Sequence, residues 1–189
     1  VKLKNFIELY IAYFNRAPDA IGLNFWGTQF ANGLTFEEMA ELFALQEETL
    51  KTYPSGTSNM DFATSVYNNV LGRIPDLDGL NFWVGQLDEG HLSRDQFLLE
   101  ILKGVQSGSY DQVYLDRKVD IGAYFAVHKG MSDIGNAADA MALFGDQDTS
   151  NTTGAIAAID AYYDNAVDLD KGEFLLQLVS VLDDPFSVI

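Results

Sequence analysis

Oxygen-bearing side chains that could bind a cation alternate along one acidic stretch. Asp146, Asp148 and Ser150 occupy every second position there, and alternating oxygen donors are typical of calcium-binding loops. Ala157, however, stands where an EF-hand loop places its closing bidentate glutamate. We therefore predict a solvated turn followed by a helix cap, with a specific calcium site as the alternative.

A second acidic stretch places Asp76 and Asp78 before Gly79. The same frame lies 57 residues earlier, where Asp19 is matched but Ile21 replaces the second carboxylate. An aspartate just before a helix accepts hydrogen bonds from the free N–H groups of the first turn. A cap explains both copies, whereas a metal explains only the later one. We predict that Asp19 and Asp76 are N-caps, with calcium binding by Asp76 and Asp78 as the alternative.

Two arginines and two tryptophans are candidates for binding a ligand. Arg16 and Arg73 each stand between the end of one helix and a capping aspartate. We predict structural ion pairs or bonds to terminal carbonyl groups there, the alternative being a clamp for a ligand carboxylate or phosphate. Trp26 and Trp83 could stack on sugar rings. Because they recur inside a repeated helical unit, we predict that both are buried in the core.

Catalytic residues are not evident. His91 and His128 have no companion motif, and the sequence contains no serine-hydrolase elbow, zinc-binding helix motif or phosphate-binding glycine loop. The glutamate pairs at 37–38 and 47–48 read as neighbours on exposed helix faces, unlike the converging carboxylates of a glycosidase. We expect no enzyme activity, no catalytic residue and no cofactor other than the calcium considered above.

These candidates are positioned by a duplicated segment. Nine residues recur at a single offset of 57 positions, which indicates a repeated supersecondary unit. The matched residues are Tyr10, Arg16, Pro18, Asp19 and the run 22–26 in the first copy, and Tyr67, Arg73, Pro75, Asp76 and the run 79–83 in the second.

Each unit is predicted to contain three helices. Apolar residues at helical spacing predict a first helix over 3–14 and over 62–71, ended by Asn15 or Gly72 in the left-handed conformation. The repeated run begins the second helix, which ends near Gly33 or Gly90. Gly22 and Gly79, in its first turn, would allow the close approach of another helix.

The third helix of each unit follows a capping box. Thr35 with Glu38, and Ser93 with Gln96, have the spacing of this motif. The units therefore span about 5–48 and 62–105, joined by a turn-rich linker at 53–58. Together they form a tandem pair over residues 1–105.

The remaining residues, 106–189, read as a C-terminal helical region. Helices are predicted at about 110–128, 137–144, 153–167 and 171–182. No stretch shows the alternation of a strand. The fold class is therefore all-α, with tandem three-helix repeats packed with a C-terminal helical segment, which could form one compact domain.

Composition limits the partners. The net charge is −17, with 28 acidic against 11 basic residues, so nucleic acid and anionic membrane surfaces would be repelled. There is no cysteine, and no apolar run reaches the ~18 residues of a membrane helix. We expect no nucleic-acid partner and no membrane insertion.

The run 71–83, Leu-Gly-Arg-Ile-Pro-Asp-Leu-Asp-Gly-Leu-Asn-Phe-Trp, resembles the signature of a bacterial family, domain of unknown function 4214. Tyr67, Gly90 and Ser93 also match its pattern. The first copy is similar but looser, with Phe14 and Asn15 before the arginine, and the two copies cover about residues 5–105. The stretch 119–127 resembles a segment that often follows these repeats.

The resemblance implies a function outside the cell. The family occurs in secreted and surface proteins, including S-layer and RTX-type proteins that leave by type I secretion, and resembles an anchoring region that attaches to lipopolysaccharide. It has no established catalytic residues. We therefore expect a non-catalytic, extracellular or cell-surface module that mediates attachment or assembly. The expected partner is a surface glycan, lipopolysaccharide or another protein copy. The alternatives are an accessory domain of a carbohydrate-active enzyme and a calcium-responsive structural module.

Overall fold

The computed structural model describes residues 3–170, and this range contains ten α-helices, one π-helical turn and no strand. The all-α prediction is confirmed, whereas the helix predicted at 171–182 lies outside the described residues. No helix within the described range is both long and apolar enough to cross a membrane. In chain order the elements are α1 (Leu3–Phe14), α2 (Ala20–Ala31), α3 (Phe36–Ala44), α4 (Glu47–Thr52), α5 (Asn59–Leu71), α6 (Leu77–Asp88), α7 (Arg94–Gly104), α8 (Tyr110–Ala123), the π turn (Tyr124–His128), α9 (Ile134–Ala142) and α10 (Thr152–Val167).

The two repeated units begin their second helices in the same way. The Asp19 carboxylate accepts a hydrogen bond from the Gly22 N–H at 2.6 Å, and the Asp76 carboxylate accepts one from the Gly79 N–H at 2.8 Å. Both aspartates have extended backbone conformations, as an N-cap requires. The predicted caps are confirmed.

Helix ends and third-helix starts also follow the local sequence. Asn15 has φ 51° and Gly72 has φ 66°, so both adopt the left-handed conformation that ends a helix. Capping boxes are present at the starts of α3 and α7, built on Thr35 and Ser93. These predictions are confirmed. Each concerns groups that are close together in the sequence, so residue type and spacing are enough to predict it.

The first unit contains an additional short helix, α4, that the periodicity did not predict. It covers six residues, beginning at Glu47, and its N-cap residue, Gln46, makes no side-chain hydrogen bond to the helix. Its Thr49 is buried and donates a hydrogen bond to the Phe43 carbonyl oxygen at 2.7 Å. The expectation that the 47–48 pair lies on an exposed face was wrong for Glu48, because α4 turns this side chain toward Arg16.

Helix α1 lies at the centre of the described structure and packs against α2, α3, α4, α5, α7 and α8. Eight of its 12 residues are buried. The cluster of buried side chains extends from Phe6 in α1 to Ile159 in α10. The repeats and the described part of the C-terminal region therefore share one core.

Close backbone approaches attach the C-terminal region to the first unit. A Cβ atom on Gly122 of α8 would lie 2.7 Å from Ile7 Cγ2 and 3.0 Å from Pro18 Cδ. The Ala20 N–H also donates a hydrogen bond to the Met131 carbonyl oxygen at 2.9 Å. The start of α2 is therefore held by the segment that follows the π turn.

Candidate functional site

Arg16 is held inside the first unit. It is buried, and its guanidinium donates to both carboxylate oxygens of Glu48, at 2.5 and 3.1 Å, and to the Ala17 carbonyl oxygen at 2.8 Å. Its Cζ atom also lies 5.1 Å from the centre of the Tyr10 ring. The geometry contains the ion pair and the carbonyl bond expected from the sequence.

Arg73 has an equivalent environment in the second unit. Its guanidinium lies 5.2 Å from the centre of the Tyr67 ring and donates to both carboxylate oxygens of Asp111, at 2.7 and 2.8 Å. The pKa of the Asp111 carboxyl group is held below its usual range, mainly by the hydrogen bonds from Arg73 and to a smaller extent by one from Gln147. Asp111 belongs to α8, so α8 supplies the carboxylate partner of Arg73, just as α4 supplies Glu48 as the partner of Arg16.

The prediction that both tryptophans are buried in the core is correct only in part, since Trp26 and Trp83 pack against the core but are half-buried. Trp26 lies in α2 and Trp83 in α6, and only a narrow face of each helix packs on the core. The buried residues on those faces are Leu23 of α2 and Leu80 and Leu87 of α6. The two indole rings therefore lie at the edge of that core.

Each tryptophan still makes contacts within its own unit. The Trp26 ring centre is 4.9 Å from that of Phe43, and the Trp83 ring centre is 5.3 Å from that of Phe97. The Trp83 Nε1–H group donates to the Tyr67 hydroxyl at 3.0 Å. These contacts fix the orientation of both rings at the surface.

A wide concave surface lies between the two units. This inter-repeat groove has a volume of about 610 Å³, within the range typical of ligand sites. Leu45 and Leu50 are exposed at its edge, whereas Phe62 and Leu98 are buried at its base. The complete lining is Glu41, Ala44, Leu45, Thr49, Leu50, Tyr53, Ser55, Phe62, Arg94, Asp95 and Leu98.

Arg94 gives the inter-repeat groove one rigid polar wall. Its guanidinium donates to the Thr57 carbonyl oxygen at 2.5 Å and to Asn59 Oδ1 at 3.0 Å, and lies 4.8 Å from the centre of the Phe62 ring. Glu41 and Asp95 add carboxylates. No sequence pattern predicts this groove, because its residues converge from α3, α4, the linker, α5 and α7.

A smaller polar cavity of about 230 Å³ surrounds Lys118. Lys118 is only 4% exposed, and its ammonium group donates to the Asn69 carbonyl oxygen at 2.5 Å and to Asn15 Oδ1 at 3.3 Å. Burial lowers the pKa of Lys118 to about 7. One sequence signal could have revealed it, since Lys118 shares the apolar face of α8 with Leu115 and Gly122.

The acidic loop at 146–150 is stabilised by its own residues. One Asp146 carboxylate oxygen accepts hydrogen bonds from the N–H groups of Asp148 and Thr149 and from the Thr149 hydroxyl, at 2.8 to 3.1 Å. Ser150 donates instead to the Gln147 carbonyl oxygen at 3.4 Å. This is the geometry of an aspartate-stabilised turn.

The second calcium candidate has the same character. Asp76 caps α6, and Asp78 is exposed in the first turn of that helix. Within residues 3–170, no three histidine, aspartate or glutamate side chains are grouped as a metal site would require. The described donor arrangement therefore fits turns and caps better than a calcium cage.

The two histidines are far from a catalytic arrangement. His91 is exposed and its Nδ1 atom lies 3.2 Å from Glu89 Oε2. The His128 ring packs against that of Tyr124, with ring centres 5.8 Å apart. Neither contact pairs a base with a nucleophile.

Together, these observations define an all-α protein of tandem helical units in which most repeated residues stabilise their own unit. The chain belongs to the family Domain of unknown function (DUF4214), whose model matches residues 1–51 and 40–105. No curated protein and no solved structure matches the chain.

Proposed function

We propose that this chain is a non-catalytic helical module of a secreted or surface-layer-like bacterial protein. It mediates attachment to the cell surface, or assembly there, through glycan or protein contacts. We also propose that the protein is exported by type I secretion, because of its resemblance to S-layer and RTX-type proteins. The observation that carries the proposal is the inter-repeat groove.

The groove supports a binding role because the fold leaves it open. At about 610 Å³ it is large enough for a ligand or a set of anchoring side chains. Leu45 and Leu50 keep apolar surface in contact with water at its edge, and covering such surface with a partner is favourable. A duplicated unit also has a direct use here, since a groove between units requires two of them.

The charge of the protein favours particular partners. A net charge of −17 opposes close approach of polyanions, so neutral glycans or complementary protein surfaces are favoured. Acidic copies could assemble once cations screen their mutual repulsion. Attachment and assembly are therefore both consistent with the composition.

The test compares two leucines of matched exposure. Leu50, in the groove, is 53% exposed, and Leu143, outside it, is 54% exposed. We expect Leu50→Gln to weaken binding to lipopolysaccharide-containing vesicles, or self-association in sedimentation velocity, whereas Leu143→Gln retains wild-type behaviour. A wild-type protein that neither binds these vesicles nor self-associates, with or without added salt, would refute the proposal.

A further inference from the structure

The residues that recur in both units divide into two sets by their environment. Tyrosine, arginine, aspartate, leucine and tryptophan make contacts within their own unit at both copies. The asparagine and phenylalanine of the repeated run are exposed at both copies. We call these exposed pairs, 24–25 and 81–82, the Asn–Phe platforms.

The phenylalanine rings of the platforms are exposed but firmly held. Phe25 is 51% exposed and Phe82 is 57% exposed. Each packs edge-to-face against the following tryptophan, with ring centres 5.1 Å apart in both units. Because Trp26 and Trp83 are fixed by Phe43 and Phe97, the exposed rings require little ordering when a ligand binds.

Free carboxamide groups accompany each ring. Gln29 and Gln86 also recur at the 57-residue offset, and each lies one helical turn after the platform phenylalanine, on the same face. Within the part of the chain that the structure describes, these glutamine side chains and the platform asparagines make no hydrogen bond to protein. Each platform therefore offers a ring together with unused donors and acceptors.

Neighbouring surface positions have diverged between the copies. Ile21 corresponds to Asp78, Thr28 to Gly85, and Ala31 to Asp88. The recurrence of the exposed pair thus does not reflect general similarity of the two helix surfaces. The described contacts use only one edge of each phenylalanine, against the following tryptophan, so the exposed ring surface and the asparagine carboxamide are left for a ligand.

We propose that each Asn–Phe platform binds one ring of a neutral glycan, so that the tandem units contact a sugar chain twice. The C–H face of a pyranose stacks on the phenylalanine, and the carboxamides hydrogen-bond its hydroxyl groups. Neither α2 nor α6 carries a basic residue, so the platforms lack the cations that an anionic sugar would need. This inference rests on the proposed function and specifies its ligand class.

The experiment uses the two tryptophans of the chain as reporters, because one lies beside each platform. Fluorescence titrations with dextran, mannan and galactan probe neutral polysaccharides, and alginate serves as the anionic comparison. We expect a fluorescence change with at least one neutral polymer and none with alginate. Phe25→Ala and Phe82→Ala should each weaken binding roughly three- to tenfold, and the double variant should abolish it.

Controls separate this inference from the proposed function. Tyr110→Ala removes another exposed aromatic ring and should retain binding, while circular dichroism checks the fold of each variant. If the double variant binds a neutral polymer as the wild type does, the platforms are refuted and attachment survives. If no neutral polymer binds, the inference is also wrong. If the double variant instead loses self-association, the platforms contact a second copy, which overturns a glycan ligand while supporting assembly.

Discussion

Arg16 and Glu48 form a bidentate ion pair across 32 residues of sequence, with Arg16 Nε 2.5 Å from Glu48 Oε1 and Arg16 Nη2 3.1 Å from Glu48 Oε2. The pair ties the sharp turn after α1 to the short helix α4. Arg73 and Asp111 repeat the same geometry between the turn after α5 and helix α8. The arginine at the same position of each unit thus pairs with a carboxylate on a later helix, α4 in the first unit and α8 after the second.

Removal of the Glu48 carboxylate should destabilise the protein. Glu48→Ala leaves the buried Arg16 with Asp19 and a carbonyl oxygen as its remaining partners, and we expect a loss of about 2–3 kcal/mol in the free energy of unfolding. The neighbouring Glu47 pairs with Lys51 on the surface, so Glu47→Ala should change stability by less than ~0.5 kcal/mol. Urea unfolding measures both, and equal losses would contradict a special role for Glu48.

Gly22 should be intolerant of a methyl group. A Cβ atom there would lie 2.3 Å from the Tyr10 hydroxyl oxygen, and the Tyr10 ring cannot retreat because Phe14 and Phe43 pack against it. We expect Gly22→Ala to cost about 1–3 kcal/mol. The close approach of another helix expected at Gly22 is therefore present, and the group that approaches is the side-chain hydroxyl of Tyr10 in α1.

Another glycine of the same helix supplies the control. A Cβ atom on Gly27 would meet nothing within 4 Å, so Gly27→Ala should stabilise α2 by about 0.5–1 kcal/mol through helix propensity. Thermal denaturation should therefore shift in opposite directions for the two variants. An increase in melting temperature for both variants would show that helix propensity dominates over the Tyr10 contact.

The sequence predicted those parts of the fold that depend on short-range bonds. The side chains of Asp19, Asp76 and Thr35 accept hydrogen bonds from N–H groups three residues away, and Gln96 accepts one from the Ser93 N–H, so residue type and spacing were sufficient. Because the same residues recur at an offset of 57 positions, the helices predicted for one unit could also be predicted for the other.

Features made by distant segments could not be predicted in this way. Glu48 meets Arg16 only because α4 forms, and Lys118 bonds Asn15 across 103 residues. The inter-repeat groove likewise depends on how α3, α4, α5 and α7 pack. Trp26 and Trp83 are half-buried although they recur, because recurrence does not distinguish the core of a repeated unit from its edge.

Lys118 should make stability increase with pH above neutrality. Burial lowers its pKa to about 7 in the folded protein, from the ordinary lysine value of 10.5. Between these values the unfolded chain holds a proton that the folded chain has released, so the free energy of unfolding rises by up to ~1.4 kcal/mol per pH unit. Below pH ~7 both states are protonated and the Lys118 contribution becomes constant.

The measurement compares variants across this window. Lys118→Met should remove the slope between about pH 7.5 and 9.5, whereas Lys103→Met, at an exposed site, should retain it. Tyr114 and Asp146 face the same cavity, and burial raises the pKa of Tyr114 to about 12, so its titration falls above the window. An unchanged slope in Lys118→Met would show that Lys118 remains charged when folded.

Gly72 combines two constraints that three variants can separate. It has φ 66°, and a Cβ atom there would lie 2.3 Å from the Tyr114 ring, which is anchored by a hydrogen bond from its hydroxyl to the Gly145 carbonyl oxygen. Gly108 also has a positive φ, 79°, but open space around it. Gly108→Ala should therefore lower the free energy of unfolding only through the left-handed conformation, by about 1–2 kcal/mol. Gly72→Ala should lower it by about 1–3 kcal/mol more, because its Cβ displaces the Tyr114 ring.

An asparagine at position 72 separates these two causes. Asparagine tolerates the left-handed conformation, as Asn15 does in the first unit, so Gly72→Asn relieves the backbone cost but retains the clash with the ring. If denaturant unfolding shows Gly72→Asn to be as stable as the wild type, backbone conformation alone explains the glycine; a loss close to that of Gly72→Ala assigns it to the packing of α8 against the second unit.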